Sequence, residues 1–274
     1  MWSSPGRKIV TAWIVLSVIA TPIVVLVLGP HLPPGHGSVQ GSEQVFDNTW
    51  LTGTVTPVIC LLAVFFGYVL TQHRHRGGEL VDGPPLRDDA QVRVWWIGLT
   101  SITVLILAAF GTYQLEQNGS GGGQGPKPIA IPKGPKIPVQ VIAQQWQFTY
   151  RYPTFGGVET PQLVLPADTT IELHVTSLDA IHSFWAIELG IKADANPGVD
   201  NVAYLQTKGP RTFHVRCAEL CGLWHGYMFN NGRVVPVAQF TAWVKSQQRE
   251  FEPVAKYLPK YATTYFPDPQ RRAG

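Results

Sequence analysis

The chain has 274 residues, of which 45% are hydrophobic and only 14% charged, a balance that points to membrane attachment rather than a wholly water-exposed protein. Its formal net charge of +3 is too small to mark a nucleic-acid partner. Three cysteines, two in one short loop and Cys60 in an apolar run, exclude a disulfide framework, and Cys60 reads as a small buried hydrophobe.

Arg7 and Lys8 precede an apolar run over residues 9–28, so residues 1–30 read as either a signal sequence or a first membrane helix. The run outlasts an ordinary signal core and no Ala-x-Ala site follows, which favours a retained helix. Residues 29–49 form a short connection without Lys or Arg. A transmembrane helical hairpin is expected over 45–117, with spans at about 50–70 and 94–113. The loop between these spans carries Arg74, Arg76, Arg87 and Arg93, while the far ends are almost free of basic residues. The positive-inside rule then makes that loop cytoplasmic and places everything beyond Tyr113 outside, as in a multi-pass protein of a prokaryotic plasma membrane. Asp88 and Asp89, just before the second of these spans, read as caps or solvated charges rather than as a proton-uptake site.

Residues 118–138, rich in Gly and then in Pro, sustain neither helix nor central strand and mark a linker. Beyond it, over 139–250, short β-branched runs recur at close spacing and predict an all-β Greek-key sandwich or barrel. Within this domain Trp146, in Gln-Trp-Gln-Phe, reads from its own context as a core or rim aromatic. His182 ends a β-branched stretch. His174 and His214 lie inside alternating strand patterns and read as surface or cross-strand residues.

The segment Cys217–Met228, Cys-Ala-Glu-Leu-Cys-Gly-Leu-Trp-His-Gly-Tyr-Met, holds the densest chemistry. Within one loop it offers two thiolates, an imidazole and a thioether. Thiolate and thioether stabilise Cu(I) while imidazole suits Cu(II), so a one-electron copper site is indicated. The two cysteines are three residues apart, unlike the two-residue spacing of a zinc ribbon or a thioredoxin-like motif. Such a loop wraps one metal ion or two bridged by both sulfurs, and His182 is the best further imidazole.

Cys-x-Glu-x-Cys-Gly-x-x-His-x-x-Met, preceded by Asp-x-x-His-Ser, resembles the dinuclear copper (CuA) domain of cytochrome c oxidase subunit 2. Gln145–Phe148, Leu163–Pro166 and Leu189–Gly198 match further landmarks of that family in order, and the resemblance covers roughly residues 45–250. It implies a cupredoxin-like barrel behind two or three transmembrane helices. It also implies that Cys217 and Cys221 bridge two coppers, that His182 and His225 each bind one, that Met228 is a weak ligand and that Glu219 binds through its main-chain carbonyl. In the family the same glutamate's carboxylate serves a magnesium site shared with subunit 1, and a tryptophan at the position of Trp146 receives electrons from the donor. The implied role is the electron-accepting subunit of a haem-copper terminal oxidase. It would take electrons from cytochrome c or a similar c-type donor and pass them to haem in subunit 1, where oxygen is reduced to water, alongside other oxidase subunits. Gln91 and Arg93 stand where the family commonly has an acidic residue leading to a proton path, and Gln147 where an aromatic is usual.

Over residues 139–235 eight acidic side chains stand against six basic ones, an excess that suits a cationic donor. Apolar residues at helical spacing over 237–245 predict a terminal helix packed on the barrel, followed by an irregular basic tail over 251–274. No Cys-x-x-Cys-His occurs, so haem belongs to a partner. Two other readings of the motif remain: a CuA subunit of a nitric oxide reductase, and a membrane-tethered copper-binding or chaperone module. A quinol-oxidase subunit is disfavoured, because such relatives lack the cysteine pair and histidines that are complete here.

Overall fold

The computed structural model describes residues 4–72, 77, 89–118, 122–128, 130–255 and 257. The chain falls into two units, one built from Met1–Gly29 with Thr49–Gln117 and one from Pro30–Asn48 with Asn118–Gly274. Arg74, Arg76, Arg87 and Asp88, and all of the expected tail beyond Ala255 except Tyr257, lie outside the described residues.

The first unit is helical. Helix α1 covers Ser4–Ile23 and continues as a π-helical stretch over Val24–Leu28. Pro22 sits just before that change of winding, where its missing amide hydrogen removes a rung of the α ladder. Helix α2 runs from Val39 to Gln72 and α3 from Ala90 to Asn118. Three helical stretches, Pro5–His31, Val39–Gln72 and Ala90–Gln117, are long and apolar enough to cross a membrane. Their outward side chains are large and apolar, as at Leu26, Trp95 and Leu105. Within this unit Trp50 stacks on Phe110 at 5.3 Å between ring centroids, and the Trp13 indole donates to Pro57 O at 2.8 Å.

Both expected spans are shorter than the helices that contain them. Counting apolar residues starts the hairpin spans at 50 and 94, but α2 begins at Val39 because its polar first turns find partners. Ser38 caps it: the Gly41 N–H donates to Ser38 Oγ at 2.8 Å. Asp89 caps α3, its Oδ1 accepting from Gln91 N at 2.9 Å, and this supports the capping role expected of that carboxylate.

The second unit is two five-stranded sheets around one core. Its strands are β1 (Ile137–Gln144), β2 (Gln147–Tyr152), β3 (Val158–Thr160), β4 (Val164–Pro166) and β5 (Thr170–Ser177). There follow β6 (His182–Ala186), β7 (Ile191–Ala195), β8 (Asn201–Gln206), β9 (Arg211–Cys217) and β10 (Phe229–Val235). One sheet has the order β3-β2-β1-β5-β8 and the other β4-β10-β9-β6-β7. Pairing is parallel between β1 and β5 and between β4 and β10, and antiparallel elsewhere. Three apolar helices followed by this sandwich give the fold class that the sequence predicts.

The core follows from period-two alternation. Along β9 the inward positions are Phe213, Val215 and Cys217, while Thr212, His214 and Arg216 face out. Phe184 on β6 meets Phe148 edge-on at 5.7 Å, and both are almost wholly buried. Helix α4 (Val237–Ala255) closes one side of the sandwich with Phe240 and Val244, four residues apart and buried. Tyr152, beside Phe240 and Trp243, donates its hydroxyl to Val164 O at 2.9 Å and accepts from Val164 N at 3.0 Å.

The linker is not a free spacer over its described residues. Gln124 N donates to Val202 O, and Val202 N to Gly125 O, laying Gln124–Gly125 along β8, while Gly123 N donates to Lys192 O of β7. The Asn201 side chain locks the arrangement, accepting from Gly125 N at 2.8 Å and donating to Asp194 O at 2.9 Å. Composition predicts looseness here because it does not register a segment held mainly by its main chain.

Candidate metal centre

Two strand ends and one loop build the site. The β6–β9 register sets Phe184 opposite Cys217, and His182 lies two residues before Phe184 on the same inward face. Cys217 ends β9. The loop that follows closes on itself, because Cys217 N donates to Met228 O at 3.0 Å before β10 begins at Phe229. Inside it, His225–Tyr227 make a single 3-10 turn that points His225 back toward the second cysteine.

The donor atoms converge. Cys217 Sγ and Cys221 Sγ are 3.7 Å apart. His182 Nδ1 lies 3.9 Å from Cys217 Sγ, and the Glu219 carbonyl oxygen 3.2 Å from the same sulfur. On the other side, His225 Nδ1 is 3.5 Å and Met228 Sδ 3.8 Å from Cys221 Sγ. His182, both cysteines and Met228 are buried, His225 is half-buried and the Glu219 side chain is exposed. Among the described residues, His182, Cys217 and Cys221 form the only group of three or more His, Cys, Asp or Glu whose donor atoms all lie within 4.8 Å of one another.

Asp179 fixes the first imidazole. Its Oδ1 lies 2.9 Å from His182 Nε2, so the hydrogen-bond network assigns the ring proton to Nε2 and leaves the Nδ1 lone pair facing the sulfurs. Partial burial works against ionisation of Asp179, but hydrogen bonds from Gln145 N, His182 and Ala180 N outweigh it and hold the carboxyl below its ordinary range. Burial, reinforced by the neighbouring Cys217, pushes the Cys221 thiol up to about 12. A buried sulfur pair whose Cys221 thiol resists ionisation unaided, flanked by two imidazoles and a thioether, fits a soft cation that displaces thiol protons.

Trp146 lies against this loop. It is half-buried, and its indole Nε1 lies 3.3 Å from Cys221 O, with Gln145 Nε2 at 2.8 Å from the same oxygen. The other two histidines stand apart from the sulfurs. His214 is exposed and pairs with Glu188, as its strand position predicts. His174 is a cross-strand residue of the other sheet, between Gln140 and Val202, but buried and not on the surface, its Nδ1 2.8 Å from Asp200 Oδ2. Alternation marked it as outward-facing, and so it is, but that face of β5 is covered. The sequence reasoning gave no role to Gln145. Its signal was its place in the Gln145–Phe148 landmark beside Trp146.

The family model described as cytochrome c oxidase subunit II, periplasmic domain, matches residues 157–234. Cytochrome c oxidase subunit 2 of Thermostichus vulcanus is 24% identical over 86% of this chain and 85% of its own length. Subunit 2 of Bacillus sp. (strain PS3) is 34% identical over 43% of this chain and 35% of its own length. Among solved structures, the periplasmic domain of subunit II of cytochrome oxidase from Bradyrhizobium japonicum is 29% identical, with a TM-score of 0.42, over 44% of this chain and 99% of that one.

Proposed function

We infer that this chain, which belongs to the cytochrome c oxidase subunit 2 family, is the electron-accepting subunit of a haem-copper oxidase and takes electrons from a c-type cytochrome. The observation that carries the reading is the sulfur pair at 3.7 Å with one imidazole beside each sulfur and a thioether beside Cys221. That donor set is the one a pair of copper ions requires. Cys217 and Cys221 would bridge the two ions, His182 and His225 would bind one each through Nδ1, and the Met228 thioether and the Glu219 carbonyl would complete the set. When bound, the copper pair supplies a one-electron redox centre whose charge is shared across both sulfurs.

The protein's own contribution is rigidity. Oxidation and reduction need the ligands to stay in place, and here they sit on strand ends of a packed sandwich and on a loop closed by the Cys217–Met228 hydrogen bond. Asp179 holds the His182 ring and prevents its rotation. Trp146, hydrogen-bonded to the carbonyl of Cys221, offers the short route by which an electron from a docked donor reaches the centre. The exposed Glu219 carboxylate is free to serve a magnesium ion shared with subunit 1, whose haem receives the electron. The three apolar helices anchor the chain in a prokaryotic plasma membrane, with the sandwich on the extracytoplasmic side. Oxygen reduction belongs to subunit 1, so the isolated chain binds copper without oxidase turnover.

Copper loading of the full chain in detergent tests this reading. The expected result is two copper ions per chain and the hyperfine pattern of one electron shared by two copper nuclei, both lost in Cys217→Ser and Cys221→Ser. A single exchangeable copper ion in the unsubstituted chain would overturn it in favour of a copper-carrying module.

A further inference from the structure

Two side-chain donors meet on one main-chain oxygen beside the sulfur pair. Gln145 Nε2 is 2.8 Å and Trp146 Nε1 3.3 Å from the carbonyl of Cys221, so the amide makes the shorter bond. Both fit because the next residue is Gly222. Its φ is +117°, and a Cβ there would stand 3.0 Å from Gln145 Nε2 and 3.4 Å from the Trp146 ring. The main chain of Gln145 reaches the other half of the site, its N–H donating at 2.7 Å to Asp179 Oδ2 while Asp179 Oδ1 pairs with His182. One residue between β1 and β2 therefore touches the sulfur loop through its side chain and the imidazole through Asp179.

We propose that Gln145 is a positioning residue of the metal centre, whose side-chain amide, by donating to the Cys221 carbonyl, biases the centre toward its reduced state. The proposal rests on the copper reading above and adds a residue to which that reading gives no task. The positive end of the amide dipole points at the peptide of a sulfur ligand, and a fixed positive end there disfavours the extra positive charge of the oxidised metal. The Trp146 indole adds to the same effect from a longer distance. Removing the amide leaves the main-chain link to Asp179 intact, so the side chain is separable from the imidazole half.

The test compares the full-length, copper-loaded chain with Gln145→Met and Gln145→Glu. Met keeps the length and removes the donor; Glu keeps the shape and sets a negative group against the carbonyl. Copper content and the hyperfine pattern are expected to stay unchanged in both. At one fixed ambient potential the oxidised-to-reduced ratio rises on the order of fivefold in Gln145→Met, the equivalent of one hydrogen bond, and further in Gln145→Glu. An unshifted ratio in both variants overturns the proposal. So does loss of copper from Gln145→Met, which leaves Gln145 a purely structural part. A single copper ion in the unsubstituted chain overturns the copper-pair reading and this proposal with it, and is told apart because it appears before any substitution.

Discussion

At Gly232 the sandwich leaves no room for a side chain. A Cβ there would stand 2.1 Å from the Phe213 ring, which is almost wholly buried and faces Gly232 across the β9–β10 ladder. The ring has nowhere to withdraw, since its neighbours are packed at interior density. Gly232→Ala is therefore expected to lose about 1–3 kcal/mol of stability by overpacking, read from urea unfolding of the metal-free protein. Gly222, in the loop between β9 and β10, is needed for a different reason. Its positive φ and its closeness to Gln145 and Trp146 let the sulfur loop lie against the β1–β2 turn.

Among elements, α4 is the plainest case of a short amphipathic helix that owes its place to one stripe. Phe240 is buried and meets Tyr152, Phe155 and Trp243 with ring centroids 5.5–6.2 Å apart. Phe240→Ala removes the central ring of that cluster and is expected to cost about 3–5 kcal/mol, measurable as a lowered unfolding midpoint. Because α4 packs on strands away from the sulfur loop, the same variant is expected to keep its copper, which separates loss of stability from loss of site. The loop itself depends on β9 and β10, whose register at Arg216–Phe229 brings its two ends together.

For the molecule as a whole, the buried Cys221 thiol ties stability to pH. The folded chain holds the Cys221 proton up to about 12, whereas the unfolded chain releases it in the ordinary thiol range. Between those values the unfolded state has fewer protons bound, so the metal-free protein loses stability as pH rises through that window. Bound copper would cancel that loss, because the ligated sulfur carries no proton and neither does the unfolded thiol in that window, and the copper affinity of the folded chain is expected to rise with pH. Unfolding midpoints and copper titrations across that range, with and without the metal, check both directions. Much of this was legible in the sequence. The loop Cys217–Met228 keeps all its sulfur and imidazole donors within twelve residues, and the apolar runs mark the two hairpin helices, with the first run open between a signal sequence and a third helix. Less legible were features made by distant partners. The cover over His174, the docking of Gly122–Gly125 on β7 and β8 and the task of Gln145 all depend on tertiary contacts that no local pattern encodes. The cap of α2 is the extreme case. Ser38 receives the Gly41 N–H and hands its own proton to Leu189 O, 151 positions further along the chain. During synthesis the first turn of that helix must therefore wait for half the protein to emerge before its last hydrogen bond exists. A ribosome stalled short of Leu189 would leave α2 with a frayed start, and chain growth itself becomes the timer for its completion.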